Sequence, residues 1–346
     1  MVLTALWVSP VGQPGGVGRH LTDVARVGIP GWRLVFLVPP GVVADELRAT
    51  GAAVVTGPIG PDFGLRDSVS TLRRVVKRLR PQVVHTHLSY ADIVSPIATG
   101  GLAVKLVSTE HGIAADDLVY HGSRARSRVM AAVHTARLRR FDAAIAVADA
   151  TRDAMRAKWH RRDIVVVPNG IDAPERPTRR PGLRIASIAR LSPEKRIDAL
   201  IDAFALVRTM QPDATLTIAG DGPLDGTLRS RAAGVPGVRF VGHVPADEVL
   251  ANHDIVVQLS VWENCSYTLL DAMAAGLGVV ATPVGGNPEL LPPDCLVPAD
   301  DPDAVAAAIL RQGLDTASRP SVPEWPGVAD MTAGIARVYA SIGAQP

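Results

Sequence analysis

Twelve short apolar runs, each about the length of a strand, recur along the chain. "TALWV", "RLVFLV", "AAVVT", "QVVHTH", "VKLVST", "AAIAV" and "IVVVPNG" lie in the first half; "LRIASIA", "TLTIAG", "VRFVG", "IVVQLS" and "GVVAT" lie in the second. Longer stretches of helical pattern separate them. Runs this apolar fit strands buried on both faces, and helices between them imply parallel sheets with α/β layering. The alternation breaks at "NGIDAPERPTRRPG", which is rich in proline and arginine and reads as a connection. The pattern therefore predicts a domain over 1–170, a linker over 171–182 and a second α/β domain over 183–327. The segment after Leu310 reads as a loop, and a last helix falls within 328–346. Ligands of such sheets bind beyond the strand C-termini, so a ligand between two such domains is the natural expectation.

Composition changes this picture little. At 346 residues, 47% hydrophobic and 20% charged, the chain is that of a globular protein with room for two cores. Two cysteines, Cys265 and Cys295, supply no disulfide framework, and "MVLTALWVSP" lacks a basic segment before its apolar run. No run approaches the roughly 18 apolar residues of a membrane span. A cytoplasmic protein, at most at the inner membrane face, is expected. Charge matters more. Residues 1–170 hold 22 Lys/Arg and 13 Asp/Glu, a net of +9, while 171–346 hold 14 and 21, a net of −7.

Candidate chemistry clusters after the apolar runs. "GQPGGVGRH" follows the first, where Gly15 and Gly16 let a backbone approach a ligand closely. It is not a dinucleotide fingerprint: Gly16 and Gly18 start one, but Leu21 takes the third glycine's place and no acid follows about 20 residues on. In "IARLSPEK", Ser192 and Pro193 mark a helix start, with Arg190 just before it and Lys195 in its first turn. Two cations beside free N–H groups suit a diphosphate. Gly220 belongs to a turn, "AGDGP". In "ENCSYTLLDAMAAG", Ser266 caps a helix that places Tyr267, Thr268 and Asp271 on one face. A carboxylate in so apolar a helix calls for a partner, and the paired hydroxyls of a ribose satisfy both its oxygens. Glu263, one step before the helix, can grip a second polyol. His85, His87 and His111 end neighbouring strands; without a thiol or acid cluster they read as pocket lining more than as a metal site. Cys265 has no activating base nearby in sequence.

"ARLSPEK", "AGDGP" and "ENCSYTLLDAMAAG", in that order, resemble the family-four glycosyltransferases of GT-B fold, as do "GGVGRH", "VVHTH", "STEHG" and "VPNGID". The resemblance implies two Rossmann-like doubly wound domains facing across a cleft, with the C-terminal helix returning to the N-terminal domain. It also implies metal-independent transfer of a sugar from a nucleotide diphosphate, retaining the anomeric configuration. Carried over by position, Arg190 and Lys195 neutralise the leaving diphosphate, Glu263 holds the donor sugar and Asp271 the ribose. Gly16 and the backbone of Ser266 to Thr268 meet the phosphates, and His111 stands beside the reacting carbon. His85 and His87 are acceptor-side candidates. Two departures stand out: Asp271 replaces a usual glutamate, and Cys265 and Ser266 replace an aromatic and a glycine.

Two basic segments remain. Arg73, Arg74, Lys77, Arg78 and Arg80 flank an apolar stripe in 65–80, and six arginines with no acid occupy 122–140. They read as solvated faces or as peripheral contact with an anionic membrane, where a saccharide, lipid-linked or small-molecule acceptor is met. At 4% aromatic residues with no known module, nucleic acid is disfavoured. A nucleotide-sugar epimerase of the same fold and a non-catalytic nucleotide-sugar binder are the alternatives.

Overall fold

The computed structural model describes residues 3–113, 124–172, 179–321 and 324–344. The chain forms two compact units, 1–170 with 326–346, and 171–325. Of the expected linker, 173–178 lies outside the described residues.

The first unit is built on seven strands: β1 (Leu3–Val8), β2 (Trp32–Val38), β3 (Ala53–Thr56), β4 (Val83–His87), β5 (Lys105–Glu110), β6 (Ala143–Ala146) and β7 (Ile164–Val166). They lie in the order β3-β2-β1-β4-β5-β6-β7, all parallel. The chain thus builds outward from β1 to one side, then crosses to β4 and builds to the other. Between β1 and β4 the connections diverge, which opens a crevice at the strand C-termini. β1 and β4 are almost wholly buried because helices cover both faces.

The helix Val328–Ser341 belongs to this unit. Its Val328, Met331, Ile335, Val338 and Tyr339 join Trp7, Trp32 and Phe36 in one core. The chain leaves and re-enters the unit back to back: a Cβ on Gly170 would lie 2.3 Å from the Gly327 carbonyl oxygen.

The second unit repeats the plan with β8 (Arg184–Ile188), β9 (Thr215–Ala219), β10 (Val238–Gly242), β11 (Ile255–Gln258) and β12 (Gly278–Ala281). The order is β10-β9-β8-β11-β12, again parallel, so its crevice lies between β8 and β11.

Two local expectations are corrected. Helix Pro302–Leu314 runs past Leu310, because Gln312 is buried and accepts from the Val279 N–H at 3.2 Å, while Gly313 packs on Gly182. "RQGLD" looks like loop but is a helix end seated on the sheet. After Ser192 the chain makes only a 3-10 turn, Pro193–Lys195, and the α-helix starts at Ile197. Arg196 is left-handed at φ 49° and divides them, and the Ser192 hydroxyl is spent on Glu194 (2.6 Å) instead of capping. Lys195 therefore lies in a turn ahead of the helix, not in its first turn.

Candidate active site

In the second unit the two loops at the crevice converge on one carboxylate. The loop after β8 carries Arg190 and Lys195; the loop after β11 carries Glu263. Lys195 Nζ donates to Glu263 Oε1, and the same oxygen accepts from Gln258 Nε2 (3.0 Å) and Ser260 Oγ (2.8 Å). The loops are also joined through backbone, Val261 N–H to Glu194 carbonyl at 2.8 Å. The Lys195 and Glu263 side chains are 18% and 12% exposed, so the pair is largely desolvated yet reachable. Arg190 is exposed, with no ion pair among the described residues. A single carboxylate oxygen holding three donors leaves Oε2 to receive a ligand hydroxyl.

Glycines press these loops together. Gly220 sits at φ +126°, and a Cβ there would fall 2.0 Å from the Ala189 carbonyl oxygen; one on Gly222 would fall 2.4 Å from that of Leu191. "AGDGP" thus braces the segment bearing Arg190, a packing role rather than simple turn chemistry. Gly285, at φ +53°, backs onto Glu263 itself, with a Cβ position 1.7 Å from the Glu263 carbonyl oxygen. Sequence reasoning does not single out Gly285, Gln258 or Ser260; the "VGG" after the last strand is the available signal for the first.

The helix Tyr267–Ala274 opens beside this point. Ser266 is its N-cap and accepts the Leu269 N–H at 3.4 Å. Leu269, Leu270 and Met273 are fully buried, whereas Thr268 and Asp271 keep partial exposure on another face.

In the first unit, β4 and β5 carry histidines to the crevice at register His85↔Val107 and His87↔Thr109. Alternation along the strands puts His85 and His87 on one sheet face. Trp7 Nε1–H donates to Tyr339 Oη at 3.0 Å, so the Tyr339 hydroxyl donates to His85 Nδ1 at 2.7 Å. His85 is then the Nε2–H tautomer, donating to Thr109 Oγ1 at 2.7 Å. That occupies both its nitrogens, so His85 supports the group from beneath. His87 and His111 hydrogen-bond to each other, Nδ1 to Nε2 at 2.9 Å. His20, absent from the sequence-predicted set, stands with them: its ring meets His111 edge-on at 4.8 Å, and Asn169 Oδ1 lies 3.3 Å from its Nδ1. It sits one helical turn after Gly16, the spacing that could have flagged it. Burial pushes all four imidazoles down, His20 to about 4 and His85, His87 and His111 well below the usual value, so they are neutral near pH 7. Ligand atoms of His20, His87 and His111 lie within 4.8 Å of one another. His87 Nδ1 and His111 Nε2 are engaged with each other, while His87 Nε2 is buried with no hydrogen-bond partner among the described residues.

Gly15 and Gly16 are exposed at the start of helix Gly16–Val27, and nothing lies within 4 Å of a Cβ on Gly15. Gly18, by contrast, makes room for Val43 at 3.0 Å. Arg137 overturns part of the basic-face reading. It is 2% exposed in its side chain and pairs with Asp92 (2.6 Å) and Glu110 (3.0 Å), so it is no docking residue. Arg128, Arg139 and Arg140 are exposed, and the side chains of Arg124 and Arg126 lie outside the described residues.

Comparison with known proteins bears on the family and the fold. The profile "Glycosyltransferase Family 4" matches residues 14–175, and "Glycosyl transferases group 1" matches 182–312. A phosphatidylinositol N-acetylglucosaminyltransferase subunit from Arabidopsis thaliana is 28% identical over 254 residues, 69% of this chain and 56% of that protein. Glycogen synthase of Mycobacterium tuberculosis is 32% identical over 220 residues, 60% of this chain and 53% of its own length. The chain thus spans little more than half the length of these relatives. The crystal structure of Anabaena HepE in complex with UDP-glucose superposes with a TM-score of 0.81 at 21% identity, covering 98% of this chain and 100% of that one. Sucrose-phosphate synthase from Thermosynechococcus elongatus gives 0.79 at 17% identity over 99% of each chain, so the fold is shared where sequence has diverged. With both halves matched and the fold shared, the chain belongs to glycosyltransferase family four, with the GT-B fold.

Proposed function

We propose that the protein transfers a sugar from a nucleoside-diphosphate donor to an acceptor hydroxyl with retention at the anomeric carbon. The observation that carries the proposal is the meeting of Lys195 and Glu263 from the two loops of the second unit's crevice, with Arg190 exposed alongside. In this reading Arg190 and Lys195 face the diphosphate. Lys195 has three N–H donors, so it can keep Glu263 and still reach a phosphate oxygen. Asp271 takes the ribose hydroxyls, and the Ser266-capped helix start and Gly16 supply N–H groups to the phosphates. Two cations neutralise the leaving group, so the reading requires no metal.

Glu263 suits a holding role more than a nucleophilic one, since three donors on Oε1 draw its electron density. Its Oε2 accepts from a sugar hydroxyl. The sugar–phosphate C–O bond then breaks as the acceptor oxygen bonds the same face of the carbon, and the departing phosphate oxygen takes the acceptor's proton. Charges fixed around the departing phosphate stabilise this step. His111, hydrogen-bonded to His87, attends the sugar's reacting end as a neutral group, with His85 beneath.

UDP-glucose in a neighbour's complex and phosphatidylinositol in a relative's name point to a nucleotide-sugar donor and a polyol or lipid-linked acceptor. No described helix is long and apolar enough to cross a membrane. Exposed Arg74, Lys77, Arg78 and Arg80, with Phe63 and Leu65 at 41% and 48% exposure, offer a peripheral contact with anionic lipid. Incubation with radiolabelled UDP-glucose and GDP-mannose, with and without polyol acceptors, tests the proposal. Transfer or slow hydrolysis supports it, isomerisation indicates an epimerase, and binding without either indicates a non-catalytic binder. The anomeric proton coupling of the product decides retention.

A further inference from the structure

Opposite the histidines, the same two strands carry a second polar group that the proposed chemistry leaves unused. Alternation turns Thr86, Ser108 and Glu110 to the sheet face away from His85, His87 and Thr109. There they meet Asp92, from helix Ser89–Ala98, and Arg137, from helix Arg124–Leu138. Arg137 Nη1 donates to Asp92 Oδ2 at 2.6 Å and Nη2 to Glu110 Oε2 at 3.0 Å. Asp92 also accepts from Thr86 Oγ1 and, at 2.7 Å, from Ser108 Oγ. Glu110 Oε1 accepts the backbone N–H of Gly112 at 3.3 Å, so this carboxyl spans the residue between, His111. Asp92, Glu110 and Arg137 are each 1–2% exposed in their side chains.

A buried ion network is not needed for stability, because apolar groups of the same volume pack as well. What this one does is fix geometry. It reaches the chain beside the histidine group through the Gly112 N–H, the residue after His111. We propose that Glu110, gripped by Arg137, is the positioning residue of His111. The inference rests on the reading of His111 as a group that attends the sugar.

Two carboxyls share one guanidinium, so the network is neutral only when it holds one proton. Burial, with Asp92 close by, pushes Glu110 up to about 7 against the pull of Arg137. Asp92 is also raised by burial. Among the described residues, Arg137 and Asp92 are the charged groups that act on Glu110. His111 is its chain neighbour, and His134, on the helix that carries Arg137, stacks on Trp159 at 4.6 Å with Arg137 5.1 Å from the same ring. A change of charge on Glu110 therefore occurs around neutral pH and alters the strength of its bond to the Gly112 N–H.

The test uses the full chain labelled at histidine. The His111 imidazole carbon–proton signal, assigned by its loss in His111→Asn, is followed from pH 5.5 to 8.5. In the wild type it should move with a midpoint near 7, although the imidazole itself stays neutral. In Glu110→Gln the midpoint should vanish, and in Arg137→Lys it should shift. This readout needs no turnover, so it stands apart from the question of sugar transfer. With UDP-glucose or GDP-mannose as donor, Glu110→Gln should lower kcat about tenfold or more and leave the UDP or GDP dissociation constant unchanged. A His111 signal that ignores both substitutions would overturn the inference even in an active transferase. A signal that obeys them in a protein without transfer would keep the positioning and remove the proposed function.

Discussion

Gly285→Ala examines how tightly the Glu263 loop is built. The residue is left-handed at φ +53°, and a Cβ there would lie 1.7 Å from the Glu263 carbonyl oxygen and 2.9 Å from its carbon. Real Cβ atoms keep at least 3.0 Å, so the two backbones must part by about 1.3 Å or more. No flexible side chain can absorb this. Holding alanine left-handed costs about 1 kcal/mol. Losing the bond from Gly286 N–H to the Glu263 carbonyl (3.3 Å) costs about 1 more, and residual overpacking at least about 1. A total near 3 kcal/mol in a unit spanning 171–325 lowers its Tm by about 6 to 12 °C. If the loop yields instead, Glu263 is displaced by about an ångström, which costs on the order of a hundredfold in turnover. Thermal unfolding and donor hydrolysis, read together, capture both routes. Gly234→Ala, in the same unit, is the control, because nothing lies within 4 Å of its added methyl. Gly285→Ala with wild-type Tm and wild-type turnover would refute the reasoning.

Lys195→Ala and Arg190→Ala should each slow transfer at least tenfold, about 1.4 kcal/mol in barrier. Their circular dichroism should stay native, since Gln258 and Ser260 still hold Glu263. Asp271→Asn should weaken UDP or GDP binding in calorimetry while Asp271→Glu is tolerated; equal affinity for Asn and wild type would remove the ribose role. Glu110 should make stability fall with pH: its carboxyl, near 4.5 unfolded and about 7 folded, favours the fold below 4.5 and loses that contribution as pH rises through 7, on the order of 3 kcal/mol. Urea unfolding at pH 5 and 8 should isolate this slope as the difference between the wild type and Glu110→Gln, because the buried histidines, lowered in the fold, contribute the opposite slope in both proteins. Anionic vesicles should pellet the protein, and replacing Arg74, Lys77 and Arg78 by Gln should release it by about 1 kcal/mol each; equal pelleting with neutral lipid would leave them as solvated surface.

The twelve strands were legible because each is a run of β-branched and apolar residues that burial on both faces requires. The Ser266 cap was legible for the same reason: cap, helix and buried face are local in sequence. What is not local was missed. Sequence spacing assigns Lys195 and Glu263 to different parts of a ligand. That they grip one another across 68 residues follows only from β8 and β11 being neighbours in the sheet. His20 joins His111 through the pairing of β1 with β4, again invisible along the chain. Arg137 groups with the arginines read as solvated or membrane-facing because 122–140 holds no acid. Its acids come from β5 and from the helix after β4.

The charge split shows why composition could not locate the chemistry. The half with net +9 contains the histidine group, where burial leaves His20, His85, His87 and His111 neutral, and its one buried guanidinium among the described residues, Arg137, is matched by two carboxyls. Its surplus cations, Arg74, Lys77, Arg78 and Arg80 among them, lie on exposed faces. The cations proposed for the diphosphate stand instead in the half with net −7. There Lys195 is shielded to 18% exposure beside Glu263, and in such a setting a charge acts far more strongly than in water. A diphosphate responds to a few charges held at short range in a crevice, whereas net charge acts over the whole surface and is screened within about 10 Å at 0.1 M salt. The two quantities are physically independent, so raising the salt should release the first half's surface from anionic lipid while leaving the nucleotide grip of the second largely intact.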